Sequence, residues 1–158
     1  MKSQPERMTV TVEKRLRHDF HVLEELEAGI ALMGWEVKSV RNREVSLKGG
    51  WVKFSGGEAF LEAVHIAPFP QSRERMDPLR ERKLLLKKRE ILQMAQKIDE
   101  AGLTVLPYNV YINKKGRVKL TLALVKAKKL FDKRETIKKR ETERQLRRYQ
   151  GSNIKGKS

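Results

Sequence analysis

Thr104-Val-Leu-Pro-Tyr-Asn-Val-Tyr-Ile-Asn113 and Arg117-Val-Lys-Leu-Thr-Leu-Ala-Leu-Val-Lys126 decide the fold class, because apolar side chains recur at every second position in both. This period of two predicts two strands, each with one face in a core. The inward residues are Leu106, Tyr108, Val110 and Ile112, then Val118, Leu120, Leu122 and Leu124. Lys114-Lys-Gly116 is a short hairpin loop between them. We therefore predict a mainly β fold with helices, in the α+β class.

The chain before this hairpin predicts more strands. They are Thr9–Val12, Trp51–Ser55 and Glu58–Ile66. Gly56-Gly57 joins the last two as a tight turn. In the third strand we expect Phe60, Val64 and Ile66 to face the same side. Several short strands separated by turns are typical of a compact β-rich body.

Helical spacing appears in two places and is ambiguous in a third. Lys88–Ala101 predicts a helix, and Trp35–Arg43 predicts a shorter one. Phe20–Leu32 fits a helix and a long strand equally well, so its pattern leaves both open. The polar residues 71–82 predict an exposed loop.

The C-terminal segment is strongly basic. The chain has 158 residues and a net charge of +16, and Lys126–Ser158 carries 13 Lys or Arg against 4 Asp or Glu. Few apolar residues could hold this segment on the body. We predict a body over residues 1–125 and a basic tail over 126–158 that is helical only when bound. So much positive charge calls for a polyanionic partner, and RNA is the favoured one.

Other function classes find little support. No apolar run approaches the ~20 residues of a membrane-spanning helix. The absence of Cys excludes disulfides and thiol catalysis and is compatible with the cytoplasm. The three histidines lack metal-type spacing, and His18-Asp19 is not expected to act as an acid–base pair, because neighbours in a strand point to opposite faces. We predict no metal, no cofactor and no enzymatic activity.

The basic groups of the body have two interpretations. Arg80, Arg82 and Lys83 fit a solvated face or an RNA contact. For the tail cations an RNA role is favoured, since they outnumber nearby acids; they are Lys126, Lys128, Lys129, Lys133 and Arg134. Trp35 and Trp51 fit packing better than base stacking, because aromatic residues are scarce.

Seven short blocks form an ordered set along the chain. They are Glu27-Ala-Gly-Ile30, Gly34-Trp-Glu-Val-Lys-Ser-Val-Arg41, Gly57-Glu-Ala-Phe-Leu61, His65-Ile66 with Pro68, Asp77-Pro78 with Arg82-Lys-Leu-Leu-Leu86, Gly102-Leu-Thr-Val-Leu-Pro107, and Lys128-Lys129 before Asp132-Lys-Arg-Glu135. Over roughly residues 13–145, this set resembles the small protein B (SmpB) family, the bacterial partner of transfer-messenger RNA (tmRNA). Each block is weak alone, but the ordered set is highly specific.

The resemblance implies a closed antiparallel barrel of the oligonucleotide-binding (OB) kind, with about six strands and about three flanking helices. Phe20–Leu32 then becomes mostly strand, with a bulge at Ala28-Gly29. The implied function is a non-enzymatic adaptor, a monomer that binds the tRNA-like domain of tmRNA. With elongation factor Tu, it brings tmRNA to the A site of a stalled ribosome for peptide tagging. The tail would lie in the empty messenger channel.

The resemblance also implies residue roles. The tmRNA contacts would be Glu27, Ala28, Gly29, Lys38, Arg41, Lys83, Leu85 and Lys119. The ribosome contacts would be Lys126, Lys128, Lys129, Asp132, Lys133 and Arg134. A carboxylate at Glu27 could accept from base amino groups, and Lys38 and Arg41 could hold phosphates. Leu85 could pack on a splayed base or belong to the core.

Some positions depart from the family pattern. Glu13 stands where the family has Asn, and a carboxylate there would repel phosphate. Ala127 replaces a common Gly, which argues against a positive φ at that position. The same barrel could serve a constitutive ribosomal or initiation-type RNA-binding protein. A nuclease would need clustered carboxylates or His, which the sequence does not show.

Overall fold

The computed structural model describes residues 7–71, 73, 75–99, 102–128 and 144. The strands are β1 (Met8–Val12), β2 (Phe20–Ile30), β3 (Val45–Ser46), β4 (Trp51–Ser55), β5 (Glu58–Glu62), β6 (His65–Ile66), β7 (Arg82–Leu85), β8 (Leu103–Ile112) and β9 (Val118–Ala127). The helices are α1 (Leu16–Asp19), α2 (Gly34–Arg41) and α3 (Lys88–Ile98). The predicted mainly β fold with three helices is confirmed.

Seven strands form one antiparallel sheet in the order β1-β8-β9-β2-β7-β5-β4, and β3 pairs with β6 separately. The sheet curls, so that β4 lies close to β8. Within the described residues, however, no ladder joins the edge strands β1 and β4. The main sheet therefore has seven strands rather than about six, and its hydrogen bonding does not close it.

The main core lies inside the curled sheet. Leu120, Leu122 and Leu124 of β9 are buried there as predicted, together with Trp35 of α2. β8 differs from the prediction, because a register shift between Pro107 and Asn109 marks a bulge. A bulge changes which face the following residues occupy. Val110 and Ile112 therefore enter the main core. Leu106 and Tyr108 pack instead on a second cluster formed by Leu16, Ala123 and Val125.

β2 resolves the ambiguous segment as a strand that pairs with β9 over most of its length. Its bulge lies between Val22 and Glu24, so the predicted bulge at Ala28-Gly29 is wrong. Ala28 and Gly29 pair regularly with Leu120 and Lys119. Regular pairing keeps strict alternation at this end of β2, with Ala28 inward and its two neighbours outward.

The predicted strand over Glu58–Ile66 is interrupted at Ala63, which adopts a positive φ of 59°. Val64 and Ile66 are buried in the core, but Phe60 lies on the other face and Leu61 takes the inward position. The break therefore divides the segment into β5 and β6 and changes its inward set.

The segment predicted as an exposed loop also ends early. Arg82 begins β7, and its side chain is fully buried, so it belongs to the body rather than to a loop.

The C-terminal end of β9 reaches beyond the predicted body boundary. Lys126 pairs with His21, Ala127 is the last residue of β9, and the Lys128 N–H donates to the Asp19 carbonyl at 3.1 Å. Among the described non-glycine residues, Arg43 and Ala63 have a positive φ, so Ala127 keeps an ordinary strand conformation. Lys129, Asp132, Lys133 and Arg134 lie outside the described residues.

Candidate nucleic-acid interface

Three adjacent strands place one residue each in a row on the outer face of the sheet. Gly29 of β2 pairs with Leu85 of β7 on one side and with Lys119 of β9 on the other. Glu27 lies on the same face as Gly29, because residues two apart in a strand point the same way. The ladder thus gathers predicted contact residues from three separate blocks of sequence.

An open groove of about 840 Å³ follows this row. Five predicted contact residues line it: Glu27, Gly29, Lys83, Leu85 and Lys119. The Leu85 side chain is 54% exposed, which excludes the alternative that it belongs to the core. An exposed leucine in an open groove offers an apolar surface on which an unstacked base can pack.

Gly29 forms the floor between Leu85 and Lys119. A Cβ atom on Gly29 would lie 3.3 Å from the Leu85 Cβ and 3.6 Å from the Lys119 Nζ. Any larger residue would therefore crowd the wall of the groove. Ala28 is different: its side chain is 1% exposed and packs in the core, so it supports the groove from behind instead of facing RNA.

A second depression of about 320 Å³ adjoins the groove and shares Gly29, Leu85 and Lys119 with it. Arg117 also lines this depression. Arg41 lies near it, because its Nη2 is 3.5 Å from the carbonyl oxygen of Gly116, another lining residue. The α2 helix and the β8–β9 turn thus bring Arg41, Arg117 and Lys119 to one side of the outer face.

Lys38 does not join this group. Its Nζ lies 5.2 Å from the centroid of the Phe69 ring, and Lys38 lines neither depression. The two α2 cations that could hold phosphates therefore lie apart, Arg41 beside the second depression and Lys38 beside Phe69. Lys83 lines the groove, but its Nζ is already 2.8 Å from a carboxylate oxygen of Glu58.

Sequence reasoning missed a buried ionic cluster behind the groove. Glu36 accepts from Arg82 Nε at 2.6 Å, from Arg80 Nη2 at 2.6 Å and from the Met33 N–H at 2.8 Å. Arg82 also donates to the carbonyl oxygen of Val64 at 2.8 Å. Glu36 and Arg82 are both 0% exposed, so Arg82 is not available to RNA. The sequence held one signal: alternation along β7 puts Arg82 on the same face as Leu84.

The cluster fixes the charge state of Glu36. Burial alone would raise the pKa of its carboxyl, but hydrogen bonds from Arg80, the Met33 N–H and Arg82 outweigh burial and hold the pKa below its ordinary value. Burial in turn lowers the pKa of Arg82, against the opposing effect of Glu36. A fully hydrogen-bonded charge cluster of this kind links α2, Pro78 and β7 into one unit.

The described residues contain no group of three or more His, Asp or Glu side chains that could hold a metal ion. His18 Nδ1 lies 3.4 Å from Asp19 Oδ1, within α1, so the strand geometry expected for this pair was wrong.

None of the described helices has the length and apolar composition needed to span a bilayer. Trp35 is buried, as packing requires, while Trp51 is 43% exposed.

Comparisons with known proteins agree on one family. A family model described as SmpB protein matches residues 10–152. The chain is 49% identical over 140 residues to the SsrA-binding protein of Streptococcus equi subsp. zooepidemicus (strain MGCS10565), covering 88% of this chain and 90% of that relative. It is 48% identical over 136 residues to the SsrA-binding protein of Streptococcus pyogenes serotype M49 (strain NZ131), covering 85% and 87%.

A solved structure gives the same answer. The one described as "tmRNA-SmpB: a journey to the center of the bacterial ribosome" aligns with a TM-score of 0.65 and 43% identity, over 76% of this chain and 85% of that chain. The family model covers most of the sequence, and the curated relatives are similar over nearly their whole length. The chain belongs to the SmpB family.

Proposed function

We propose that this protein is a non-enzymatic RNA-binding adaptor that binds the tRNA-like domain of tmRNA and delivers it to the A site of stalled ribosomes for rescue and peptide tagging. Family membership supports this function, as do relatives whose name is SsrA-binding protein, SsrA being tmRNA. The observation that carries it is the groove, where Glu27, Gly29, Lys83, Leu85 and Lys119 meet on one face.

The curled sheet acts as an OB-like barrel in this function. The approach of β4 to β8 supports a barrel shape without a closing ladder. The outer face of β2, β7 and β9 takes the RNA, as single sheets of OB-like proteins commonly do. Arg41 supports the same face from its edge and Ala28 from the core, whereas Lys38 would contact RNA on the side of Phe69.

The basic tail serves the ribosome. Lys126 and Lys128 at the end of β9, with Lys129, Asp132, Lys133 and Arg134 after them, bind the small-subunit decoding site and messenger channel, while the rest of the body holds tmRNA. The protein works in the cytoplasm as a monomer and meets elongation factor Tu through tmRNA. The clear surplus of positive charge after Lys126 supports this division.

A truncation separates the two activities. Because Lys128 is tied to Asp19, the chain should be cut after Lys128, so that β9 stays complete. We expect unchanged affinity for the tRNA-like domain and lost peptide tagging in a reconstituted translation system. A large loss of affinity would contradict the division of labour. Recovery of abundant ribosomal RNA without tmRNA, when the protein is isolated from cells, would instead favour a constitutive ribosomal role.

A further inference from the structure

The groove around Gly29 is as acidic as it is basic. The charged side chains that line it are Glu25, Glu27, Glu58 and Glu90 with Lys83, Lys87, Lys88 and Lys119. Lys83 is paired with Glu58, and Glu25 is paired with Arg17. A site for phosphate needs a local surplus of positive charge, because it must replace the counterions of the backbone. This groove has no such surplus.

The adjoining depression has the opposite character. Its lining contains Arg117 and Lys119 but no carboxylate, and Arg41 lies beside it at Gly116. Phosphate groups of a bound RNA are therefore expected in this second depression. Lys119 stands on the boundary, since it lines both. The two halves of the surface suit two different parts of one nucleotide.

Glu27 differs from the other three carboxylates of the groove, each of which has a partner: Glu58 binds Lys83, Glu25 binds Arg17, and Glu90 accepts from the Lys87 N–H. The Glu27 side chain is exposed, and among the described residues it forms no ion pair or hydrogen bond. It stands two residues from the Gly29 floor, on the same face as exposed Leu85. An ionised carboxylate only accepts hydrogen bonds, so its partner must present N–H or O–H donors.

We propose that the groove binds an unpaired guanine base of the RNA, which deepens the proposed function and rests on it. Guanine is the one RNA base with two adjacent donors, N1–H and N2–H, on its Watson–Crick edge, and a carboxylate can accept both. Leu85 packs against the ring, because this contact removes apolar surface of both groups from water. Lys119 and Arg117 hold the neighbouring phosphates.

Replacing Glu27→Gln tests the proposal by the sign of its effect. If phosphate attraction alone governed binding, removing a negative charge from the interface would strengthen it. Guanine recognition predicts the reverse: binding of the transcribed tRNA-like domain becomes about 10- to 100-fold weaker, because the amide places one donor against a donor. The slope of log affinity against log salt stays the same, whereas Lys119→Met reduces it by about 1.

The matched control is Glu25→Gln. Glu25 lies on the same strand and face and lines the same groove, but it is already paired with Arg17. We expect its replacement to change affinity less than about threefold. Thermal unfolding of both variants checks that the fold is intact. A weaker Glu25→Gln variant, or a Glu27→Gln variant that binds as well as the wild type or better, overturns the proposal.

A second measurement uses the unchanged protein. The tRNA-like domain is transcribed with inosine, which lacks the N2 amino group, randomly replacing guanosine. Inosine should be depleted from the bound fraction at one unpaired position, and Glu27→Gln should lose this discrimination. Binding of the tRNA-like domain without any position sensitive to inosine refutes guanine recognition but leaves the proposed function standing. Equal affinity for the tRNA-like domain and an unrelated RNA refutes the proposed function itself.

Discussion

Arg82 Nε lies 2.6 Å from Glu36 Oε2, and both side chains are fully buried. The bond joins the first strand residue of β7 to the first turn of α2, on the core side of the sheet. One residue later, Lys83 faces the groove, and Leu85 forms its wall. The cluster therefore fixes the strand that carries two groove residues, although Glu36 and Arg82 are themselves fully buried.

Breaking this pair should be costly. Arg82→Met leaves the buried Glu36 carboxylate with fewer donors, and we expect the free energy of unfolding to fall by about 3–5 kcal/mol. Urea denaturation measures the change. Adding Glu36→Gln to Arg82→Met should recover part of the loss, because the unpaired charge is removed. Full additivity of the two substitutions would show that the residues do not act as a pair.

Acid should weaken the fold through Glu36. Its folded-state pKa is depressed, so the unfolded state binds the proton more readily and stability rises with pH. This contribution is complete above the ordinary Glu pKa of about 4.3 and is lost as pH falls through the lower folded value. The free energy of unfolding should decline more steeply in the wild type than in Glu36→Gln below about pH 5. Parallel curves would contradict the assigned role of the carboxylate.

Gly29 should tolerate no larger residue. Gly29→Val crowds Leu85 and Lys119, so we expect a loss of about 1–3 kcal/mol in stability or binding. Titration with the tRNA-like domain measures the loss of binding, and thermal unfolding measures the loss of stability. Gly34→Ala is the matched control, because a Cβ there meets nothing within 4 Å. Similar effects for both substitutions would mean that the limited space at Gly29 is not the cause of the loss.

Substitution of Leu84 should affect mainly stability, and substitution of its neighbour Leu85 should affect mainly RNA binding. Leu84 is 1% exposed, so Leu84→Ala should cost about 2–5 kcal/mol of stability. Leu85→Ala should change stability by no more than about 0.5 kcal/mol, since that side chain is largely exposed, but should weaken RNA binding. Denaturation and binding titrations on both variants decide the matter. A strongly destabilised Leu85→Ala protein would return Leu85 to the core.

The sequence predicted elements whose side chains follow one clear period. The inward positions of β9 followed from Leu120, Leu122 and Leu124, and the hairpin followed from Gly56-Gly57. The bulge in β8 was missed because a bulge adds one residue without changing composition, and it reversed the faces of Leu106 and Tyr108. The secondary structure of Phe20–Leu32 could not be decided from the sequence, because its apolar residues fit both the helical and the strand period. Pairing with β9 makes this segment a strand.

The candidate site was recoverable only in part. The family resemblance supplied Glu27, Leu85 and Lys119, and the ladder explains why they meet. The direction of Lys38 depended on Phe69, a residue about 30 positions away, so no local pattern could reveal it. Burial of Arg82 had one local signal, its alternation with Leu84, but its partner Glu36 lies in a different element and could not be read from the sequence.

The pairing of β2 with β9 also sets the distance between the groove and the start of the tail. Its groove end is the pair Gly29 and Lys119, and its far end is the pair Phe20 and Ala127, just before the Lys128 tie to Asp19. Along β9 the two end pairs are eight residue steps apart, which at about 3.3 Å each amounts to roughly 26 Å. Whatever the tail reaches, it starts from a point whose distance to the groove is set by strand length rather than by a hinge.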